Sequence, residues 1–369
     1  MKSKSKIISV LCMALLLFVL AACGNKTGNE AASKPSNEPV NDSKPATRIV
    51  ESVNGPVEIP ASPQRIANLW NANNEIMLMM GGGDKLVATT TYVKKLASFQ
   101  KVYPRINEVT APFDSSSGDI NIEELLKTQP DLIIAYAQDK SLDKLKELNI
   151  PVVTSSFTDF DGLKETVRLV GEVLGEDGVK RADEYTAYLE DNFKRVTDIT
   201  STIPENERVK VYFTQGFLAT DGRNSMAQAW IEAAGGINIA AKDIEGLKKT
   251  VTFEQILDWN PDIIVNATPP WTEAPKEVED MMNNPKWKEI KAVQDNRVYM
   301  NPIGVFQWDR YCGEQALQIL WAAKMFYPDK FADLNLEQET KDFYKKFFSY
   351  DLTDAEVNEI LMTEHNTVK

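Results

Sequence analysis

The sequence predicts an α/β protein of two Rossmann-like lobes, each a mainly parallel sheet with flanking helices, joined by one long helix. Three observations carry that expectation. Short apolar runs alternate with amphipathic stretches over 65–154 and again over 209–301, as expected of parallel strands separated by crossover helices. The interval 163–199 has helical periodicity only. An internal repeat links the halves: Ile122–Ile134 matches Phe253–Val265, each with a glutamate (Glu123, Glu254) seven residues before a Pro-Asp pair that leads into an apolar strand. A single helix-Pro-Asp-strand joint is common in α/β proteins. Two in one register, about a domain length apart, point to two similar lobes.

The chain opens with Lys2, Lys4 and Lys6, then an apolar run from Ile7 to Leu20 broken only by Ser9, and Ala21-Ala22-Cys23-Gly24. That run is shorter than the roughly 20 residues of a membrane span and fits a secretory h-region. The small residues and Cys23 resemble a bacterial lipobox, which makes Cys23 the expected lipid attachment point. The alternative is an ordinary signal peptide with an incidental cysteine. Residues 1–23 are read as the lipoprotein signal peptide and lipobox. Residues 24–47, rich in Asn, Ser, Lys and Pro, are read as a disordered tether. Three further units follow: 48–160 as the N-terminal lobe, 161–200 as a helical bridge, and 201–369 as the C-terminal lobe with C-terminal helices.

Within the first lobe, Asn54-Gly55 between alternating apolar residues signals a hairpin over Arg48–Ile59. Arg65–Leu69, Leu86–Thr90, Leu132–Ala135 and Val152–Thr154 read as strands. Glu75–Met80, Ile122–Thr128 and Leu142–Leu148 read as helices. Gly81-Gly82-Gly83 lacks the Lys-Ser/Thr of a phosphate loop and ends a helix, so it reads as a C-cap. Leu163–Leu174 and Val179–Ile199 form the helical interval. In the second lobe Val209–Phe213, Ile263–Asn266 and Val298–Asn301 read as strands. Ala227–Ala234, Phe253–Trp259 and Glu314–Met325 read as helices.

Composition narrows the function. The 54 acidic and 41 basic residues give a net charge of −13, which argues against a nucleic-acid partner. Of three cysteines, Cys12 and Cys23 fall in the leader and Cys312 stands alone, so no disulfide framework supports the fold. The one histidine, His365, lies near the chain end. No metal site is expected, because zinc or manganese would need clustered ligands. No Gly-x-Ser-x-Gly or His-Glu-x-x-His motif is present, which disfavours a surface hydrolase. A surface adhesin remains the other rival class.

Ligands of open parallel sheets bind beyond the carboxyl ends of the strands. That rule selects Trp70 and Asn71, Tyr92, Tyr136, Arg223, Trp271, Phe306, Trp308 and Arg310 as candidates. Core packing is the competing explanation for the aromatics. Arg223 and Arg310 are the candidates for holding a carboxylate, catecholate or oxyanion, with a buried pair to Asp221 or Asp309 as the alternative.

The lipobox, the hairpin before Pro63-Gln64-Arg65-Ile66, the duplicated Glu-to-Pro-Asp segment, Ala233-Ala234-Gly235-Gly236 and Arg297-Val298-Tyr299 together resemble the bacterial substrate-binding proteins of ABC importers for iron complexes, heme and cobalamin. The resemblance runs from about Arg48 to Phe326. It implies a ligand held between two lobes on a rigid helix, and docking of a permease through Glu123 and Glu254, with Glu124 as a stand-in. It implies a non-enzymatic, monomeric receptor without cofactor, outside the cytoplasmic membrane and anchored through Cys23, with an ABC permease and its ATPase as partners. A ferric siderophore is the first expected ligand, and molybdate, tungstate or a nickel chelate the alternative. The long helix predicts modest lobe closure.

Overall fold

The computed structural model describes residues 46–268 and 274–366. The leader, most of the expected tether, Cys23 and Trp271 lie outside the described residues. The fold starts with the predicted hairpin, β1 (Thr47–Ser52) and β2 (Gly55–Pro60), antiparallel with Ser52 opposite Gly55. Val53 and Asn54 therefore make the two-residue turn, and Gly55, at φ +107°, takes the backbone angle that other residues avoid. Asn54 Nδ2 donates to the Ala137 carbonyl at 3.0 Å, docking the hairpin tip on the first lobe.

That lobe runs β3 (Ile66–Asn68), α1 (Asn71–Met79), β4 (Leu86–Thr90), α2 (Ala97–Val102), β5 (Thr110–Asp114), β6 (Asp119–Ile120), α3 (Ile122–Lys127), β7 (Leu132–Tyr136), α4 (Leu142–Lys146) and β8 (Val152–Ser155). Its sheet order is β6-β5-β4-β3-β7-β8, parallel except for β6. Sequence periodicity left 91–121 unassigned. Within it, Pro112 lies inside β5 and breaks the strand pattern there, where the register against β4 is irregular. Helix α1 ends in a Schellman motif: Gly81 N–H donates to Leu78 O and Gly82 N–H to Met77 O, with Gly81 at φ +82°.

Helix α5 (Phe160–Leu174) packs on α1 and β1 of the first lobe. Helix α6 (Glu176–Thr200) is the connector, 25 residues and about 37 Å long. The two helices approach closely where they turn at Gly175. A side chain on Gly171 or Gly178 would meet the other glycine's carbonyl. The buried face of α6 carries Ala182, Tyr185, Leu189, Asn192 and Val196 at helical spacing.

The second lobe contains β9 (Lys210–Thr214), β10 (Ala219–Thr220), α7 (Met226–Ala233), β11 (Ile237–Asn238), β12 (Lys249–Thr250), α8 (Phe253–Trp259), β13 (Ile263–Asn266), α9 (Ala274–Asn283), α10 (Lys291–Gln294) and β14 (Val298–Met300). Its main sheet, β11-β9-β13-β14, is wholly parallel. Helices α11 (Gln315–Phe326), α12 (Leu336–Phe348) and α13 (Asp354–Ile360) complete the chain. They reach both lobes. Arg181 of α6 donates to the Met79 and Phe347 carbonyls, both at 2.7 Å, and Lys101 pairs with Glu359 at 2.9 Å.

The sequence repeat has a physical role. Asp131 N–H donates to Arg65 O and its carboxylate accepts from the Gln64 and Arg65 amides. Asp262 repeats this on the second lobe, donating to Lys210 O and accepting from the Lys210 amide at 2.8 Å. Each aspartate clamps the start of its lobe's first strand to the neighbouring strand. The apolar core follows the same plan: one continuous cluster runs through both lobes along α6 and α11, and a smaller one backs each sheet.

Candidate functional site

Buried asparagines shape the exit of β3. Asn74 Nδ2 donates to Asn68 O and Trp70 O, and its Oδ1 accepts from Thr89, while Asn68 Nδ2 donates to Asn73 Oδ1. These bonds satisfy backbone groups that the end of a short strand leaves open. They hold Trp70 and Asn71 at the lip of a cavity of about 820 Å³ lined from both lobes. Asn71 Oδ1 accepts from Ser115 Oγ at 2.8 Å, tying the exits of β3 and β5. Tyr136, closing β7, has its ring 5.4 Å from that of Trp70.

The opposite wall is the loop after β14. Tyr311 reaches back to Trp70, with ring centroids 6.1 Å apart. Phe306 meets Tyr92 edge-on at 6.0 Å. The Tyr92 hydroxyl donates to Gln307 Oε1 at 2.9 Å, so the lobes touch across the cleft. Burial pushes the Tyr92 hydroxyl up to about 12, so it stays a neutral donor.

The charges sit on one side. Arg310 Nε and Nη2 both bond Asp309 Oδ2, at 2.8 and 2.7 Å, and Nη2 also bonds the Ala267 carbonyl. The remaining edge of the guanidinium, Nη1, makes no hydrogen bond among the described residues. Burial raises the Asp309 carboxyl despite the adjacent guanidinium. Asp221, also raised by burial, accepts from Gln215 Nε2 and the Lys248 amide. Asp309 Oδ1 and Gln307 Nε2 are buried without a partner.

The structure brings together Trp70, Asn71, Tyr92, Tyr136, Phe306 and Arg310 from the sequence candidates. Two others stand elsewhere. Trp308 is fully buried in the core cluster that runs through both lobes, just after the turn that pairs Ile303 with Gln307. Arg223 lies outside the cavity lining, bonding the Ala241 and Lys242 carbonyls and Glu245. It sits where Arg223 and Glu245 form a bridge that holds it against the second lobe's own loop. Glu123 and Glu254 stand exposed in the first turns of α3 and α8.

Sequence reasoning missed Ser115 because it missed β5. It read Asp309 as a neutralising neighbour and passed over Tyr311, which adjoins Arg310. Among the described residues, no group of three or more His, Cys, Asp or Glu is placed to hold a metal ion.

Two α/β lobes on one long helix, with an aromatic-lined cleft between them, define an extracytoplasmic receptor that captures a small ligand for an ABC transporter. The chain belongs to the periplasmic binding protein family, whose profile matches residues 66–302. It is 28% identical over 325 residues to the molybdate-binding protein MolA of Haemophilus influenzae, covering 81% of this chain and 90% of that protein. The solved structure of MolA bound to molybdate superposes with a TM-score of 0.74, covering 83% of this chain and 99% of that one at 26% identity. A periplasmic solute binding protein from Veillonella parvula superposes with a TM-score of 0.74 at 30% identity, over 86% of this chain and 98% of that one. The iron(3+)-hydroxamate-binding protein YxeB of Bacillus subtilis is 25% identical over 316 residues, or 82% of this chain and 91% of that protein.

Proposed function

We propose that the cleft captures a metal chelate, a ferric siderophore first, and presents it to the permease of an ABC importer. The observation that carries this reading is the cleft's size and lining: about 820 Å³, walled by Trp70, Tyr92, Tyr136, Phe306 and Tyr311, with one guanidinium already paired to Asp309. Pockets of roughly 300–1,000 Å³ suit organic ligands, and a tetrahedral oxyanion would fill little of this one. Aromatic faces pack the ligand framework, and Arg310 Nη1 donates to an anionic oxygen. Glu123 and Glu254, matched by the repeat, are the carboxylates that meet the permease. Cys23 is the lipid attachment point; an intact-mass increase in membrane fractions that survives Cys23→Ser would rule it out.

The likeness to MolA supports a second reading, molybdate or tungstate. Calorimetry and thermal unfolding with ferric hydroxamates, ferric catecholates, nickel chelates, molybdate and tungstate decide between them. A cognate ligand at a hundred times its Kd stabilises by about 2.7 kcal/mol. Stabilisation by a ferric chelate and not by oxyanions supports the first reading. Stabilisation by oxyanions alone overturns it.

A further inference from the structure

Behind the cleft, two glutamates are buried where the lobes meet. Glu75, on α1 of the first lobe, and Glu314, at the start of α11 in the second, are both fully buried. They flank the loop 304–313, which carries Phe306, Gln307, Asp309, Arg310 and Tyr311 into the cavity wall. Glu314 grips the beginning of that loop: Oε2 accepts from the Phe306 amide at 2.8 Å, and Oε1 from the Tyr344 hydroxyl at 2.5 Å and from the Val305 amide at 3.3 Å, which also donates to the Tyr344 oxygen at 2.9 Å. Glu75 grips its end, Oε2 accepting from the Gly313 amide at 2.8 Å across the lobe junction. Glycines make the space. A side chain on Gly304 would collide with the Glu314 carboxyl, and one on Gly313 with Met79 beside Glu75.

The two carboxyls differ in their donors. Glu314 is met by three, the setting of an anion. Glu75 is met at Oε2, while Oε1 has no partner. The other titratable groups facing the pair are the Tyr185 hydroxyl of α6, which donates to Gly313 O, the Tyr344 hydroxyl of α12, and the Cys312 thiol and Asp309 of the loop. No basic side chain pairs with either carboxyl among the described residues. In this desolvated site the charge of Glu314 opposes ionisation of Glu75.

We propose that Glu75 and Glu314 are positioning residues that share one proton, held on Glu75 while ionised Glu314 fastens the cleft loop, so that loss of the proton releases the loop and weakens ligand retention. Burial pushes both carboxyls above the ordinary range, Glu314 to about 7 and Glu75 well up beside it; the pair titrates as a unit. With one proton on Glu75 the ionised Glu314 holds the loop, and as pH rises past the pair's second ionisation both carboxyls are charged and the grip is lost. The consequence for ligand rests on the cleft being the binding site; the grip itself does not.

Amide hydrogen exchange of Val305, Phe306 and Gly313, corrected for intrinsic rates, tests the pair in the ligand-free protein from pH 5.5 to 8.5. Wild-type protection is expected to fall about tenfold per pH unit above the second ionisation. Glu75→Gln, which copies the protonated form, should remain protected throughout. Glu314→Gln, which turns an N–H toward an amide donor, should lose protection at every pH. Should Glu314→Gln not fold, Tyr344→Phe removes one donor to the anion and should move the midpoint upward at Phe306 and Gly313, Val305 being set aside because its amide also bonds the Tyr344 oxygen. Wild-type pH dependence in Glu75→Gln, full protection in Glu314→Gln, or an unmoved midpoint in Tyr344→Phe would overturn the proposal. Titration with ferric desferrioxamine B at both pH extremes then reads the consequence: weaker binding at pH 8.5 in wild type, none of that weakening in Glu75→Gln. If wild type binds this chelate at neither pH, a ferric hydroxamate is excluded as the cleft's ligand while exchange still decides the pair.

Discussion

The Tyr92 hydroxyl donates a 2.9 Å hydrogen bond to Oε1 of Gln307, joining the exit of β4 in the first lobe to the loop after β14 in the second. Gln307 is only 1% exposed and its Nε2 already lacks a partner. Tyr92→Phe would leave both ends of the Gln307 amide unpaired at the lobe contact. The expected cost is about 1–2 kcal/mol of unfolding free energy, read by denaturant titration, with a wider ligand-free envelope in solution scattering. An unchanged envelope would mean that the contact does not set the lobe angle.

Lobe closure itself should stay small, because the core is continuous along α6 and α11 and the C-terminal helices contact both lobes. A ligand-driven contraction in scattering as large as that of binding proteins with paired extended linkers would contradict this.

Arg310 supplies the cleft's partly buried cation, and its loss should cost affinity and change the pH profile. Arg310→Gln is expected to weaken an anionic ferric chelate about a hundredfold, since truncating one member of a buried charge pair costs about 2–5 kcal/mol. It also leaves Asp309 without its counter-charge. That carboxyl already sits above its usual range through burial, and removing the guanidinium raises it further. A raised folded-state value means stability is retained at low pH and lost as pH rises. The variant's melting-temperature deficit should therefore grow from pH 4 to pH 7. A constant deficit would argue that Asp309 stays ionised without help.

Glu123 and Glu254 occupy equivalent places in the two lobes, exposed in the first turns of α3 and α8. The Thr252–Gln255 capping box holds the start of α8, and the Asn121 side chain caps α3, so charge reversal there should not disturb the fold. Glu123→Arg with Glu254→Arg should bind ligand as wild type does and fail in cellular uptake of the same chelate. Normal uptake would remove these residues from the permease contact.

Asp262 gives an acid-limb prediction. Burial alone would raise it, but the Lys210 amide and the Lys291 ammonium outweigh burial and leave it below the usual range. Its contribution is therefore present above the unfolded-state value and lost as pH falls below it. Asp262→Asn should flatten the decline in melting temperature at the acid end, at a cost of about 1 kcal/mol near neutrality.

Much of this architecture was legible in residue order. Periodicity placed β4, β13 and α8 at their observed limits, because each is a run whose apolar spacing matches its own geometry. The Glu-to-Pro-Asp repeat marked two similar lobes, since both aspartates make the same strand-clamping bonds. The rule that ligands sit beyond strand ends put Trp70, Tyr92, Tyr136, Phe306 and Arg310 on one list, and the fold gathers these five at one cavity.

Other features depended on partners distant in sequence. Pro112 hid β5, and with it Ser115, because a parallel strand is defined by the neighbour it pairs with as much as by its own residues. Trp308 and Phe306, two positions apart after the same strand, look alike as sequence, and both are buried, yet only Phe306 lines the cavity. Glu75 and Glu314 lie far apart along the chain and resemble ordinary helix acids until α1 and α11 converge around Gly313. Local spacing therefore determined the elements and the plan of two lobes, since those arise from contacts between near neighbours. Only the tertiary structure decided which loops face the cleft and which carboxyls lose their water, because burial and charge proximity are properties of chain segments brought together from far apart.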